Sequence, residues 1–235
     1  MVMSDIDIRN AIEKGIIKIE PPLDFEKQLQ PATVDFRLGG RIFKTVPEPG
    51  VKTIGEGEFL VIEPSEFVEV LTYEHIELSN EVCGRIGLRS EFTRKGLLIF
   101  SGPQIDPGFR GVLSVSLYNT STRPVTIKFK ELFCTIEFSR LKTPSSSLYK
   151  GKYQNQKDFD SENISWLMTM KGMTFAQVVE SVRNLQESVK ILNNTVESMQ
   201  KAFTTSIKNL RSDVRLFVTI LGTIVVVVSL LGRIL

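Results

Sequence analysis

The sequence predicts a mainly β domain followed by a long helix that ends in one transmembrane segment. Three observations support this fold class. Short apolar runs separated by Gly, Pro and Ser fill the first part of the chain, an apolar repeat at steps of three and four follows, and an uncharged stretch comes last. We therefore expect a folded domain over 1–142, a polar segment over 143–172, a coiled coil over 173–213 and a transmembrane helix over 214–235.

Length and composition narrow the class of protein. The chain of 235 residues is long enough for a full hydrophobic core, and its 29 Lys and Arg against 27 Asp and Glu give a net charge of +2. This even balance does not indicate a nucleic-acid partner. One histidine, His75, and two cysteines, Cys83 and Cys134, cannot supply the site of a zinc-dependent nucleobase deaminase. The cysteines lie in apolar runs, which favours buried free thiols over a disulfide.

The β domain begins with a short helix. Ser4 and Asp7 have the spacing of a capping box, which predicts a helix over 6–14 that ends at Gly15. Strands follow between turn residues, and many short strands at this spacing indicate a sandwich or a jelly roll. The predicted strands are 59–62, 67–71, 82–88, 97–100, 112–118, 125–129 and 133–138.

The third segment carries an apolar seam at heptad spacing. Such a seam predicts a coiled coil between copies of the chain, and packing of the stripe on its own domain is the alternative. Valine at heptad position a with leucine at position d favours a coiled coil of two parallel helices. The seam contains Phe175, Val178, Val182, Leu185, Val189, Leu192, Val196, Met199 and Phe203, then, after a stutter, Ile207, Leu210, Val214 and Phe217.

The last segment has the composition of a membrane anchor. Residues 216–232 carry no charge, and with Arg233 snorkelling the apolar stretch reaches about twenty residues, the lower limit for crossing a bilayer. Basic residues are more frequent before the stretch than after it, so the positive-inside rule places the N-terminal domain in the cytoplasm. The sequence thus predicts a single-pass, tail-anchored protein in a lipid bilayer, with a buried core helix as the alternative.

Residues 89–109 offer the clearest chemistry. Arg89, Ser90 and Arg94 provide two guanidinium groups and a hydroxyl, a combination that suits a triphosphate. Asp106 lies in an Asp-Pro-Gly turn before a strand, where its carboxylate can accept a sugar hydroxyl or orient a water. The flat ring of Phe109 beside it would crowd the 2′-hydroxyl of a bound sugar. A pair of surface arginines and an ordinary turn are the alternative interpretation.

These motifs resemble the dCTP deaminase and trimeric dUTPase superfamily, and its deaminase branch in particular. Four segments match in order, namely QLQPATVDFRLG at 28–39, RSEFTRKG at 89–96, IDPGFRG at 105–111 and YKGKYQNQ at 149–156. The resemblance implies a distorted jelly roll of the dUTPase-like β-clip type. It also implies a homotrimer with each site assembled from neighbouring subunits. We prefer this trimer to the two-stranded coiled coil because valine at position a only weakly determines the number of helices.

The resemblance also implies roles for single residues. The polar segment would act as a lid, with Tyr149 or Tyr153 packing over the nucleotide and Lys152 and Gln156 contacting its phosphates. Asp35 would hold a metal-bound water near the phosphates, although an Asp bonded to backbone at a strand end is an equal alternative. Mg²⁺ would accompany the triphosphate. The implied ligand is a pyrimidine deoxynucleoside triphosphate, either dCTP, dUTP or dTTP.

Ser116 is the main departure from the deaminase branch. The family carries a glutamate at this position, which shuttles protons while water attacks C4 of cytosine. Serine cannot act as a general base without a neighbouring base. Glu91 is the only nearby acid that the sequence offers instead, and Thr135 replaces a phosphate-contacting glutamine.

The sequence therefore predicts a membrane-anchored protein that binds the nucleotide as a sensor or effector and has lost deaminase activity. Antiviral defence, where nucleotide pools shift, is one context for such a sensor. The alternative is an active, tethered enzyme, either a zinc-independent dCTP deaminase or a dUTP diphosphatase. A scaffold with a vestigial pocket is a third possibility.

Overall fold

Strands dominate the first part of the chain, and one helix dominates the last. The computed structural model describes residues 1–46, 49–169 and 175–231, with the side chains of all of these except 175–177 and 226–231. The chain divides into two units, Met1–Val178 and Val179–Leu235. The helices are α1 (Asp5–Glu13), α2 (Phe25–Gln28), α3 (Ser90–Arg94), α4 (Ser161–Thr169) and α5 (Phe175–Leu231). The strands are β1 (Ile17–Glu20), β2 (Thr33–Lys44), β3 (Gly50–Thr53), β4 (Phe59–Ile62), β5 (Phe67–Leu78), β6 (Val82–Leu88), β7 (Leu97–Ile99), β8 (Gln104–Ile105), β9 (Arg110–Asn119), β10 (Val125–Lys128) and β11 (Leu132–Arg140).

One large curled sheet carries most strands of the first unit. Its order is β7-β9-β5-β2-β11-β6-β8, with β1 added to β5 and β3 added to β2, while β10 pairs with β4. The aromatic rings of Phe36, Phe133 and Phe138 are fully buried and form part of the core. This architecture confirms the prediction of a mainly β domain. Cys83 and Cys134 are free thiols, as predicted, although only Cys134 is buried and Cys83 is half-buried.

Most of the predicted elements form. Helix α1 begins after Ser4, whose hydroxyl accepts the backbone N–H of Asp7 at 3.2 Å, while the Asp7 carboxylate accepts the Ser4 N–H at 3.2 Å. This is the predicted capping box. All of the predicted strands overlap observed ones. Strand β2 was not predicted because most of its residues are buried on both faces, so its apolar side chains do not alternate with polar ones.

The β5–β9 pair forms the wall on which the candidate site is built. Its antiparallel register places Glu69 opposite Ser116 and Leu71 opposite Ser114. Directly opposed residues point to the same face of a sheet, so Glu69 and Ser116 share one face. Side chains along β9 alternate between buried and half-buried positions, and both serines belong to the half-buried set. The two serines therefore lie on the face away from the core.

The C-terminal part of the chain is one continuous helix. α5 contains 57 residues, which corresponds to about 85 Å at a rise of about 1.5 Å per residue. From Val178 to Phe217, every residue of the predicted seam has at least 43% of its surface exposed. An exposed apolar stripe at heptad spacing is what each strand of a coiled coil requires. The helix is confirmed, and its pairing with other copies stays a prediction.

The predicted transmembrane helix over 214–235 extends into residues that lie outside the described part of the chain. Among the residues that are described, no helix combines the length and the apolar character needed to cross a membrane. The structure thus does not support the predicted membrane anchor, which stays a prediction from the sequence alone.

Candidate functional site

A cavity of about 820 Å³ lies beside the β5–β9 wall. Strands β5, β6 and β9 provide one side, the chain between Phe100 and Phe109 provides another, and the polar segment with α4 provides the rest. The structure brings together six predicted site residues from distant parts of the sequence. These lining residues are Asp106, Phe109, Ser116, Tyr149, Tyr153 and Gln156.

A tight turn places Asp106 and Phe109 at the cavity. The Phe109 N–H donates to the Asp106 carbonyl at 3.1 Å. Gly108 has a φ of +83°, and a Cβ at this position would lie 2.6 Å from the Cβ of Leu148. Only glycine therefore fits the turn without displacing the chain that passes over it. The ring of Phe109 packs on the ring of Tyr149, with 5.6 Å between their centroids.

The predicted lid is bonded to this turn through its backbone. The Tyr149 N–H donates to the Pro107 carbonyl at 2.8 Å, and the Val112 N–H donates to the Gln156 carbonyl at 2.9 Å. Gly111 has a φ of +151°, and a Cβ there would lie 2.9 Å from the backbone nitrogen of Gln156. Residues 149–156 thus lie against the start of β9 and form a side of the cavity.

Lys152 does not line the cavity, although it was predicted to contact phosphates. Its Nζ lies 2.7 Å from Asp160 Oδ2 and 2.6 Å from Glu162 Oε2. These two carboxylates, Asp160 first, raise the pKa of Lys152 well above its usual range. A contact between Lys152 and a phosphate would require the lysine to leave both partners.

Helix α4 closes the cavity where the sequence predicted only a linker. Asp160 begins the helix by accepting the N–H of Asn163 at 3.0 Å, as N-cap residues do. Asn163, Trp166 and Leu167 line the cavity. Leu167 is 2% exposed and Trp166 is 63% exposed. Their spacing of three and four is a helical signal that could have identified this side of the cavity from the sequence.

Arg89, Ser90 and Arg94 do not line the cavity. Arg89 precedes α3, and its Nε lies 3.2 Å from Asp35 Oδ2 while its Nη1 donates to the Leu132 carbonyl at 3.0 Å. Ser90 and Arg94 are exposed. Within one chain, the predicted triphosphate clamp and the cavity are therefore separate.

Asp35 is committed to contacts within the protein. Its side chain is buried, and burial raises the pKa of its carboxyl, with the Arg89 guanidinium offsetting part of this effect. Gln30 Nε2 donates to the carboxylate at 3.4 Å. Across the described ranges, no cluster of three or more His, Cys, Asp or Glu could hold a metal ion. Asp35 belongs to no such cluster, and its predicted role, holding a metal-bound water near the phosphates, stays a prediction.

A glutamate outside the predicted set lies in the cavity wall. Glu69 is 8% exposed, lines the cavity and accepts a hydrogen bond from the Ser114 hydroxyl. In the described part of the chain, no lysine, arginine or histidine lines this cavity. Burial raises the pKa of the Glu69 carboxyl above its ordinary value, and the hydrogen bond from Ser114 offsets part of the rise. The signal in the sequence was a charged residue inside the apolar run 67–71.

Glu91, the acid that the sequence offered in place of the family glutamate, is not in the cavity. Its carboxylate is exposed and lies 2.8 Å from Lys95 Nζ, one helical turn away. The Lys95 partner lowers the pKa of Glu91. The acid closest in position to Ser116 across the sheet is Glu69.

Comparisons with known proteins agree with the motifs. A family model described as dCTP deaminase-like matches residues 2–141. The dCTP deaminase of Saccharolobus solfataricus is 36% identical over 167 residues, which cover 67% of this chain and 89% of the relative. The dUMP-forming dCTP deaminase of Aquifex aeolicus is 34% identical over 167 residues, covering 67% of this chain and 91% of the relative. A solved 2′-deoxycytidine 5′-triphosphate deaminase from Agrobacterium tumefaciens has a similar fold, with a TM-score of 0.50 at 19% identity over 58% of this chain and 45% of that chain.

Proposed function

Because the chain belongs to the dCTP deaminase-like family, we propose that its first unit binds a pyrimidine deoxynucleoside triphosphate in the cavity beside β5 and β9. One observation carries the proposal. Residues that were predicted from separate motifs, among them Asp106 and Gln156, line a single cavity. Its volume of about 820 Å³ lies in the range of small-molecule sites, roughly 300–1,000 Å³.

The lining residues suit the parts of a deoxynucleotide. The Asp106 carboxylate can accept a hydrogen bond from the 3′-hydroxyl of the sugar. Phe109, which is buried against Tyr149, leaves little room for a 2′-hydroxyl. Tyr149 would cover the sugar and the base from the side of the lid. These contacts favour dCTP, dUTP or dTTP over the corresponding ribonucleotides.

The triphosphate needs positive charge that the described lining of the cavity does not provide. We expect Arg89, Ser90 and Arg94 of a neighbouring subunit to contact the phosphates, as the motif resemblance implies for a homotrimer. Mg²⁺ would arrive bound to the phosphates and balance part of their charge. In this arrangement Arg89 exchanges its contact with Asp35, at 3.2 Å, for a phosphate oxygen.

The exposed seam of α5 offers a second means of joining the copies. We expect sedimentation of the full chain to give three times the monomer mass of 26.5 kDa. Leu185→Glu and Leu192→Glu place charges in the seam and would weaken that assembly. A stable mass of two chains would favour the two-stranded coil and would argue against a site shared by three subunits.

Membrane anchoring and a sensor role are proposals that rest on the sequence. The uncharged stretch 216–232 supports the anchor, and co-flotation of the full chain with liposomes tests it. A full chain that does not float with lipid would remove the anchor. Loss of deaminase activity rests on Ser116, whereas Glu69 in the cavity wall favours the alternative of an active enzyme.

A binding screen with the full chain tests the proposed function. A ligand at about 100 times its dissociation constant adds about 2.7 kcal/mol to stability, so dCTP, dUTP or dTTP should raise the melting temperature. CTP serves as the matched control because it differs from dCTP only in the 2′-hydroxyl. We expect Asp106→Ala to weaken binding of the preferred nucleotide at least tenfold. If none of the three deoxynucleotides changes the melting temperature, the proposal is wrong.

A further inference from the structure

We infer that Glu69, and not the residue at position 116, is the general acid–base group for a zinc-independent deamination of dCTP in this cavity. The inference rests on the proposed binding of a pyrimidine deoxynucleoside triphosphate. It goes further in assigning the catalytic group to a residue on the strand opposite position 116.

The register of the sheet gives Glu69 access to the region that Ser116 faces. The two residues are directly opposed on β5 and β9, and both line the cavity. The Cβ atoms of opposed residues lie roughly 4.5–5.5 Å apart on the same face. A carboxylate at position 69 therefore reaches, from the neighbouring strand, the space that a longer side chain at position 116 would fill.

The surroundings of Glu69 suit a group that exchanges protons. Ser114 and Ser116 are small, so the space in front of the carboxylate stays open. The Ser114 hydroxyl donates to one carboxylate oxygen, which orients the group and leaves the other oxygen available. A buried carboxylate without a cationic partner destabilises a fold, and such groups occur mainly where chemistry requires them.

The reaction balances with water as the only co-reactant. The Glu69 carboxylate takes a proton from water as the water oxygen bonds to C4 of cytosine, and the electron pair of the C4–N3 double bond moves to N3. Glu69 then gives this proton to N3. Next, the carboxylate takes the remaining proton of the new C4 hydroxyl and passes it to the amino group. The C4–N4 bond breaks, ammonia leaves, the C4 carbonyl forms, and the products are dUTP and ammonia.

The experiment follows ammonia and dUTP formation from dCTP by the full chain, alongside dCTP binding. We expect the wild-type chain to release one ammonia for each dUTP. Glu69→Gln should lower kcat by a factor of about 10²–10⁴, the usual contribution of general acid–base catalysis. The same variant should bind dCTP within about threefold of wild type, because glutamine keeps the shape of the side chain and its bond with Ser114.

Two further variants separate catalysis from structure. Glu66→Gln is the matched control, since Glu66 is also a buried glutamate but does not line the cavity, and its activity should stay within twofold of wild type. The exchange Glu69→Ser with Ser116→Glu moves the carboxylate to the opposed position. The kcat of this double variant should be at least tenfold higher than the kcat of Glu69→Gln. A purely structural role for Glu69 would not produce that result.

The outcomes distinguish this inference from the proposed function. A wild-type chain that binds dCTP but forms neither ammonia nor dUTP overturns the inference and leaves nucleotide binding intact. Unchanged turnover in Glu69→Gln also overturns it. If no deoxynucleotide binds, the proposed function itself fails, and the assignment of Glu69 fails with it.

Discussion

Two buried glutamates on strand β5 have opposite surroundings. Near one end of the strand, Glu74 accepts hydrogen bonds from the backbone N–H of Arg37 at 2.8 Å and from Gln28 Nε2 at 2.9 Å, and it pairs with the Arg37 guanidinium. Near the other end, the Glu69 side chain accepts a bond from the Ser114 hydroxyl, its only hydrogen bond among the described residues. The first carboxylate is compensated by a positive charge and the second is not.

This difference separates a structural acid from a candidate catalytic one. A buried charge that is paired and fully hydrogen-bonded holds elements of the fold together. A buried charge that faces a cavity with little compensation raises the free energy of the folded state, and such sites are typical of functional groups. Substitutions at the two ends of β5 should therefore change stability in opposite directions.

Removal of the Glu74 carboxylate should have the largest effect. Glu74→Ala leaves the partly buried Arg37 without its partner, and breaking a buried ion pair costs about 3–5 kcal/mol. Urea denaturation of the full chain, followed by tyrosine and tryptophan fluorescence, measures the loss. A change below about 1 kcal/mol would show that the pair contributes little, and the contrast with Glu69 would then disappear.

Removal of the hydroxyl that supports Glu69 should have the next largest effect. Ser114→Ala leaves the buried carboxylate without its hydrogen-bond donor, at a cost of about 1–3 kcal/mol. The same change should raise the pKa of Glu69 further, because the Ser114 bond is what lowers it. In a Glu69→Gln background the cost of Ser114→Ala should shrink, and denaturation of the single and double variants tests this coupling.

Neutralisation of Glu69 should stabilise the protein at neutral pH. Since burial raises the folded-state pKa of Glu69, the protonated form favours folding, and that contribution is lost as the pH rises through the raised value. Glu69→Gln should therefore gain roughly 0.5–2 kcal/mol at pH 7, the range of single stabilising changes. The gain should fade below the ordinary pKa of glutamate, where both states of the wild type are protonated. Thermal unfolding from pH 4 to pH 8 checks this, and a loss of stability at pH 7 would contradict it.

An exposed pair gives the smallest expected change. Arg41 donates to both oxygens of Asp158, at 3.0 Å and 2.8 Å, but the two side chains are 41% and 52% exposed. Arg41→Gln should cost about 0.2–1 kcal/mol, and less at high salt. Denaturation at two salt concentrations measures it. A loss of stability as large as that of Glu74→Ala would mean that solvent exposure does not determine how much these ion pairs contribute to stability.

Much of the fold could be predicted from the sequence because its signals are local. The Ser4 capping box, the alternating strands and the heptad seam of α5 each depend on residues close together in the chain. Strands β1, β2, β3 and β8 were not predicted. Strand β2 is buried on both faces over most of its length, β1 and β3 contain four residues each, and the two residues of β8 carry no pattern.

The candidate site could be predicted only in part. Motifs near Asp106 and Tyr149 identified residues that line the cavity, since those residues carry the resemblance to the family. Glu69 could not be identified from the sequence, because its place in the cavity wall opposite Ser116 depends on the register of β5 against β9. The predicted roles of Lys152 at phosphates and of Asp35 at a metal-bound water stay predictions, and the ion pairs that both side chains form within the chain could not be read from spacing.

The opposition of positions 69 and 116 has a consequence for judging relatives of this protein. Inspection of one alignment column asks whether a particular residue type has been kept there. A sheet lets the same chemical group enter the same space from either of two adjoining strands, so a relative can lack the expected acid in that column and still possess it. Sequences dismissed as inactive on the evidence of a single column are best inspected again at the column of the facing strand.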